Sequence, residues 1–134
     1  MIQAPLFGQV IGSMTGDFVI AEWTQEATDG NSEPMLVAPW HRHLDCDEAW
    51  YVLEGTLCVQ VDDVVFTAHA GDCVVALKGT KHSFWNPAQV PARYLLVMTP
   101  LTAKLIEAIH AASEHGTEAM QRIFAQHGAE YLGW

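Results

Sequence analysis

Two histidines and a glutamate crowd into an apolar neighbourhood in PWHRHLDCDEAWYVLEG, residues 39–55. His41 and His43 are two apart, so an extended chain projects both imidazoles from one face, close enough to share an ion. Glu48 follows five residues later, an odd step that a regular strand would turn to the opposite face. Residues 44–47 must therefore form a turn or bulge that restores its aim. A second stretch, GDCVVALKGTKHSFWN at residues 71–86, carries His82 on a separate strand, with turn residues that could bring it beside the first. Three imidazoles and one carboxylate then converge. Such a set suits one divalent transition metal per chain, Fe, Mn, Co, Ni, Cu or Zn, rather than Ca or Mg, which prefer oxygen ligands throughout. The alternative is a set of buried, satisfied side chains without metal, but a buried carboxylate among imidazoles is costly unless a cation or proton compensates it.

The elements that must position these residues are mostly short strands. Between Phe18 and Thr99 the pattern predicts them at 18–24, 33–38, 48–54, 57–61, 64–68, 72–77, 82–86 and 92–99, each bounded by Gly, Pro, Asn or Asp. Many short strands at close spacing make an antiparallel sandwich or barrel. After Thr99 the period becomes helical. Thr99 can cap a helix with Pro100 in its first position, and Leu101, Leu105, Ala108, Ile109 and Ala112 recur until Gly116. A second short helix is predicted from Thr117, with Met120, Ile123, Phe124 and His127 as one stripe before Gly128. The chain reads as one domain: an N-terminal arm or edge strand at 1–16, a barrel at 17–99 and a helical extension at 100–134.

Six Lys or Arg against sixteen Asp or Glu give 134 residues a formal charge of −10, which would repel nucleic acid and anionic membrane surfaces. No secretory leader or membrane-length apolar run is recognisable, so a cytoplasmic location is expected. Cys46, Cys58 and Cys73 are odd in number and widely spaced, which fits reduced thiols.

The spacing of the ligand candidates resembles that of the cupin superfamily. Its first motif is HxH, four residues, Glu, six residues, Gly, and His41, His43, Glu48 and Gly55 stand in that register. Its second runs Gly, five residues, Pro, x, Gly, two residues, His, three residues, Asn, matched by Gly71, Gly79, His82 and Asn86. Leu77 stands where the family usually has Pro, and Met35 where the first motif usually opens with Gly. The resemblance, strongest over residues 30–100, implies an all-β double-stranded β-helix, a conical barrel in which His41, His43, Glu48 and His82 bind metal. It also implies a homodimer. The short gap between the motifs is similar to that of small single-domain bacterial members, and the tail HGAEYLGW resembles those of quercetin dioxygenase-like monocupins.

Trp50 and Val52 share a face with Glu48, and Phe84 shares one with His82; these three form either a pocket wall for an apolar or aromatic small molecule or plain barrel core. Asn86 and Gly55 are read as structural. Arg42 points away from its flanking histidines, Cys46 is read as a small turn residue, and His69, His110, His115 and His127 as surface or packing residues. The two helices are either a lid over the barrel mouth or a clasp on a second subunit. The function expected is that of an Fe(II)-type oxygenase acting on a small apolar or phenolic molecule, with Glu48 able to serve as a base. The same ligands would also suit a metal-dependent lyase, cyclase or isomerase, or a non-catalytic cupin that binds metal or a small ligand. The scarcity of basic residues near the motifs argues against phosphorylated sugars, which want Arg or Lys clamps.

Overall fold

The computed structural model describes residues 3, 9–29 and 33–134. Along the chain lie β1 (Val10–Gly12), β2 (Val19–Gln25), β3 (Trp40–His43), β4 (Glu48–Glu54), β5 (Thr56–Val61), β6 (Val64–His69), β7 (Cys73–Ala76), β8 (His82–Trp85) and β9 (Ala92–Met98). They are followed by α1 (Pro100–Ala111), α2 (Thr117–Ala125) and β10 (Ala129–Gly133).

Period-two burial explains the sheets. In β9 the side chains of Ala92, Tyr94, Leu96 and Met98 are buried and those between them are not, as a strand with one face in a core requires. This strand sits at the centre of a five-stranded sheet ordered β1-β2-β9-β4-β7. The second sheet is ordered β10-β3-β8-β5-β6, and every strand pair in both sheets is antiparallel. Trp50, Val52 and Leu96 from the first sheet meet Leu57, Val59 and Phe84 from the second in one core cluster. Each fully buried Val or Leu there contributes about 1.5–3 kcal/mol of apolar transfer energy. The architecture is a double-stranded β-helix, as the motif resemblance implies.

Two differences from the sequence reading concern the neighbourhood of the site. No strand forms over residues 33–38. Pro34 and Pro39 lack the N–H groups a ladder needs, and the Val37 N–H donates to the Phe84 carbonyl (2.9 Å) just before β3 begins. At the other end of the chain, β10 is a strand that periodicity did not reveal. It pairs with β3 in the register Ala129↔His43, Glu130↔Arg42 and Tyr131↔His41, covering the edge of the strand that bears two ligand candidates. The N-terminal arm falls partly outside the described residues, and its described portion includes the edge strand β1.

Helix α1 starts as its sequence requires, with Thr99 Oγ1 accepting from the Thr102 N–H (3.3 Å) and Pro100 in the first turn. It ends before Gly116, where the Ile109 carbonyl accepts from Ala112 N–H (3.3 Å) and from His115 Nε2 (2.8 Å). The stripe on α2 buries Met120 and Phe124 with Leu105 and Ala129 in a second cluster. The helices therefore pack on each other and on β10. Among the described residues, no helix is long and apolar enough to cross a membrane.

Candidate metal centre

Strand pairing sets the first contact. His41 is the direct cross-strand partner of His82, and the two ring centroids are 4.3 Å apart. His43 leaves the same face two residues on, with its centroid 5.0 Å from that of His41 and 5.3 Å from that of His82. The odd step to Glu48 is resolved by a change of sheet rather than a bulge within one strand. After His43 the chain bends, and Leu44 N–H donates to the Gly128 carbonyl (2.9 Å). Asp47 Oδ1 accepts from Lys78 N–H (2.8 Å), and Glu48 then opens β4 in the opposite sheet, facing inward. The turn before His82 is tied to the same strand, because Gly79 N–H donates to the His43 carbonyl (2.7 Å). Gly79 lies at φ +81°, and Thr80 closes the turn through its N–H and Oγ1 to the Leu77 carbonyl (3.1 and 2.6 Å). The turn closes with Leu77 in the place usually held by Pro.

The four side chains are buried to within 6 % of full enclosure, and their donor atoms all lie within 4.8 Å of one another. Donors held about 2.1 Å from a common ion would be about 3 Å apart as neighbours. Both His43 Nε2 and His82 Nε2 stand 3.1 Å from Glu48 Oε2. The decisive detail is at His82, where Nδ1 faces the Thr80 carbonyl (3.1 Å) and Nε2 faces the Glu48 carboxylate. Both ring nitrogens meet acceptors, so a neutral imidazole leaves one pair of lone pairs opposed. Only an extra proton or a cation relieves this. His41 Nδ1 likewise lies against the Pro39 carbonyl (2.7 Å), which fixes its proton there and leaves the lone pair on Nε2. His43 Nδ1 is buried and has no partner among the described residues. The donor set thus fits a divalent cation, with carbonyls orienting two of the imidazoles as they do in metal sites.

Without a cation, these groups make the fold acid-sensitive. Burial first, and then the neighbouring His82, lower the His41 pKa from 6.5 to about 3. Burial alone would raise Glu48, but hydrogen bonds from His43 and His82 outweigh it and hold the carboxyl well below its usual range. Between about 3 and 6.5 the unfolded chain binds a proton at His41 that the folded chain refuses, so stability falls as pH drops through that window. The stability contributed by Glu48 is present above the ordinary carboxylate pKa and is lost below it, in the same direction. Urea unfolding of chelator-treated protein should lose about 1 kcal/mol from His41 alone between roughly pH 7 and pH 5.5. A stability that is flat or rising toward acid would contradict this account.

The family comparison agrees with the geometry. The family model described as Cupin domain matches residues 32–98, half of the chain. The chain belongs to the cupin family. No curated protein matches it. Among solved structures this cupin is similar to a cupin-2 domain containing protein from Shewanella frigidimarina, with 27% identity and a TM-score of 0.53 over 68% of this chain and 78% of that one. It is similar to a sugar phosphate isomerase of the cupin superfamily from Silicibacter pomeroyi, with 26% identity and a TM-score of 0.51 over 61% of this chain and 50% of that one. A double-stranded β-helix protein from Klebsiella pneumoniae shares the fold, with 24% identity and a TM-score of 0.53 over 72% of this chain and 82% of that one.

A cavity of about 300 Å³ in this cupin is lined by His41, His43 and Glu48 together with barrel and helix residues. Of the three residues weighed as pocket wall or core, Phe84 lines it. Trp50 and Val52 do not. Both are fully packed in the core cluster, Trp50 in a T-shaped contact with His82 at 5.5 Å between centroids. Much of the wall comes from residues that the sequence did not assign to a pocket: Trp23 on β2, Tyr94 and Leu96 on β9, the helix-stripe residues Leu105, Ile109, Met120 and Phe124, and Trp134. The helices thus contribute to the chamber beside the ligands, as a lid would. His110 and His115, read as surface or packing residues, are exposed but also line the cavity, whereas His69 and His127 do not.

Cys46 lies between the two ligand strands with its thiol near Thr99 and Thr102 hydroxyls (3.6 Å each). Arg42 Nε pairs with Glu130 Oε2 (3.4 Å) across β3 and β10. Asn86 is buried and ties the chain together, donating to the Gln25, Glu26 and Val90 carbonyls and accepting from Ala88 N–H (2.9 Å).

Proposed function

We propose that this cupin is a metal-dependent enzyme, most closely an Fe(II)-type oxygenase that converts a small, largely apolar or phenolic molecule. The observation that carries the proposal is the juxtaposition of a buried His-His-Glu-His set with an apolar chamber. A bound redox-active divalent metal would supply Lewis acidity and electron exchange with dioxygen. The protein would do the rest. His41, His43, Glu48 and His82 would hold the ion, and Phe84, Leu96, Ile109 and Phe124 would exclude water from an aromatic ring. Insertion of both atoms of dioxygen into the substrate needs no external reductant. Glu48 Oε2 faces the two imidazoles and so the ion they would hold, and among the described residues Oε1 accepts no hydrogen bond, so Oε1 is the atom proposed to accept a substrate hydroxyl proton.

The likeness to a sugar phosphate isomerase raises a second substrate class, but the lining offers it little. Among the described residues, no Lys or Arg lines the chamber. Arg93 is held by Glu22 and Glu54 (2.7 and 3.0 Å), and Arg42 faces Glu130. A phosphate group would enter without a cationic clamp. Anaerobic loading with Fe(II), followed by oxygen-electrode measurements against phenols and catechols, tests the proposal. Substrate-dependent oxygen uptake, matched one to one by substrate consumed, is the expected result. Tight binding of the same molecules with no uptake under any redox metal would instead favour a binding protein.

A further inference from the structure

Tyr94 is a buried polar side chain of the chamber that the metal centre leaves unexplained. It projects inward from the central strand β9, is 3 % exposed, and lines the cavity with its ring edge-on to Phe84 at 5.7 Å between centroids. Thr102, another polar lining residue, is engaged by Thr99 and lies beside the Cys46 thiol, and His115 donates to the Ile109 carbonyl. The Tyr94 hydroxyl has no hydrogen bond to any described residue, yet it is not sealed off from the cavity. A phenol donor that opens on the chamber and is not taken up by the protein is available to an oxygen acceptor on a bound molecule. Burial, reinforced by the negative charge of Glu48, raises its pKa, so the hydroxyl keeps its proton and remains a donor.

We infer that Tyr94 is a substrate-orienting residue, and that the ligand of the chamber is an aromatic ring bearing an oxygen acceptor, of the phenol or catechol class, directed at the Tyr94 hydroxyl. The inference rests on the metal-centred reading above and narrows its substrate class. The apolar and aromatic wall of Phe84, Leu96, Ile109 and Phe124 suits the ring, and Tyr94 fixes which way its oxygen points.

The test compares wild type with Tyr94→Phe, which keeps the ring and its packing. Both proteins are loaded with Zn(II), so that no oxidation occurs, and their metal content is measured. Binding of nitrocatechol and of toluene, which has no oxygen acceptor, is then followed by calorimetry. The expected result is unchanged metal content, nitrocatechol binding about tenfold weaker in the variant, and toluene binding within about twofold of wild type. Equal nitrocatechol affinities, or equal weakening for both probes, would overturn the role assigned to Tyr94. A wild type that binds no nitrocatechol would overturn the ligand class. Tyr94-dependent nitrocatechol binding by protein that takes up no metal would sink the metal-centred reading while supporting the role of Tyr94.

Discussion

Substituting His82 by Ala is expected to weaken divalent-metal binding by at least about 100-fold, since losing a direct ligand should exceed the 10- to 100-fold typical of supporting residues. The reason is geometric. His82 is the only ligand candidate on β8, and it closes the set from the strand opposite His41. Its loss removes one of two imidazole nitrogens within 3.1 Å of Glu48 Oε2, so the carboxylate is less well positioned as well as the ion less fully held. His69→Ala serves as the control. His69 is exposed on β6, and among the described residues its ring meets only the Thr56 hydroxyl at 3.4 Å. Chelator-competition titrations of the two variants should separate them cleanly. Affinities within about twofold of wild type for His82→Ala would remove this residue from the site.

Gly55→Ala is expected to cost about 3 kcal/mol or more, and to lower the melting temperature by about 10 °C, without altering metal stoichiometry. Gly55 stands at φ +76° in the turn from β4 to β5, a region that side chains other than glycine enter only with strain. Space is the larger difficulty. A Cβ there would sit 2.5 Å from the Pro91 carbonyl oxygen and 2.9 Å from Ala92 Cα, and backbone cannot swing aside as a flexible side chain can. Relief would have to move the start of β9, the central strand of its sheet, where Ala92 is fully buried. Thermal melts followed by circular dichroism measure the effect. A loss below about 1 kcal/mol would mean that the turn and β9 separate without penalty.

The convergence of His41, His43, Glu48 and His82 was legible because its information is local. HxH fixes two side chains on one face by the pleat alone, and the glycines and asparagine around His82 mark the turns that return it. The aim of Glu48 was legible only in part. The odd spacing called for a correction, but whether the chain bulged or crossed to another sheet depended on pairing between distant strands, β4 with β9 and β7. The strand β10 was hidden for a similar reason. Its five residues carry weak alternation, and it exists because the edge of β3 offers it a ladder. Period-two patterning placed Trp50, Val52 and Phe84 inward, yet it cannot tell filled interior from open chamber. That distinction is set by where α1 and α2 come to rest. Trp23 and Tyr94 carry the same alternating signal as the core around them, which is why their place on the cavity wall emerged only from the fold.

The central claim is that three imidazole nitrogens and one carboxylate oxygen of this chain share one cation. X-ray absorption at the metal edge of the loaded wild-type protein tests it most directly. The account predicts one metal per chain with only nitrogen and oxygen neighbours at about 2.0–2.2 Å, and the outer-sphere scattering of three imidazole rings. A sulfur neighbour at about 2.3 Å, as Cys46 would supply, or fewer than three imidazoles around the ion, would contradict it.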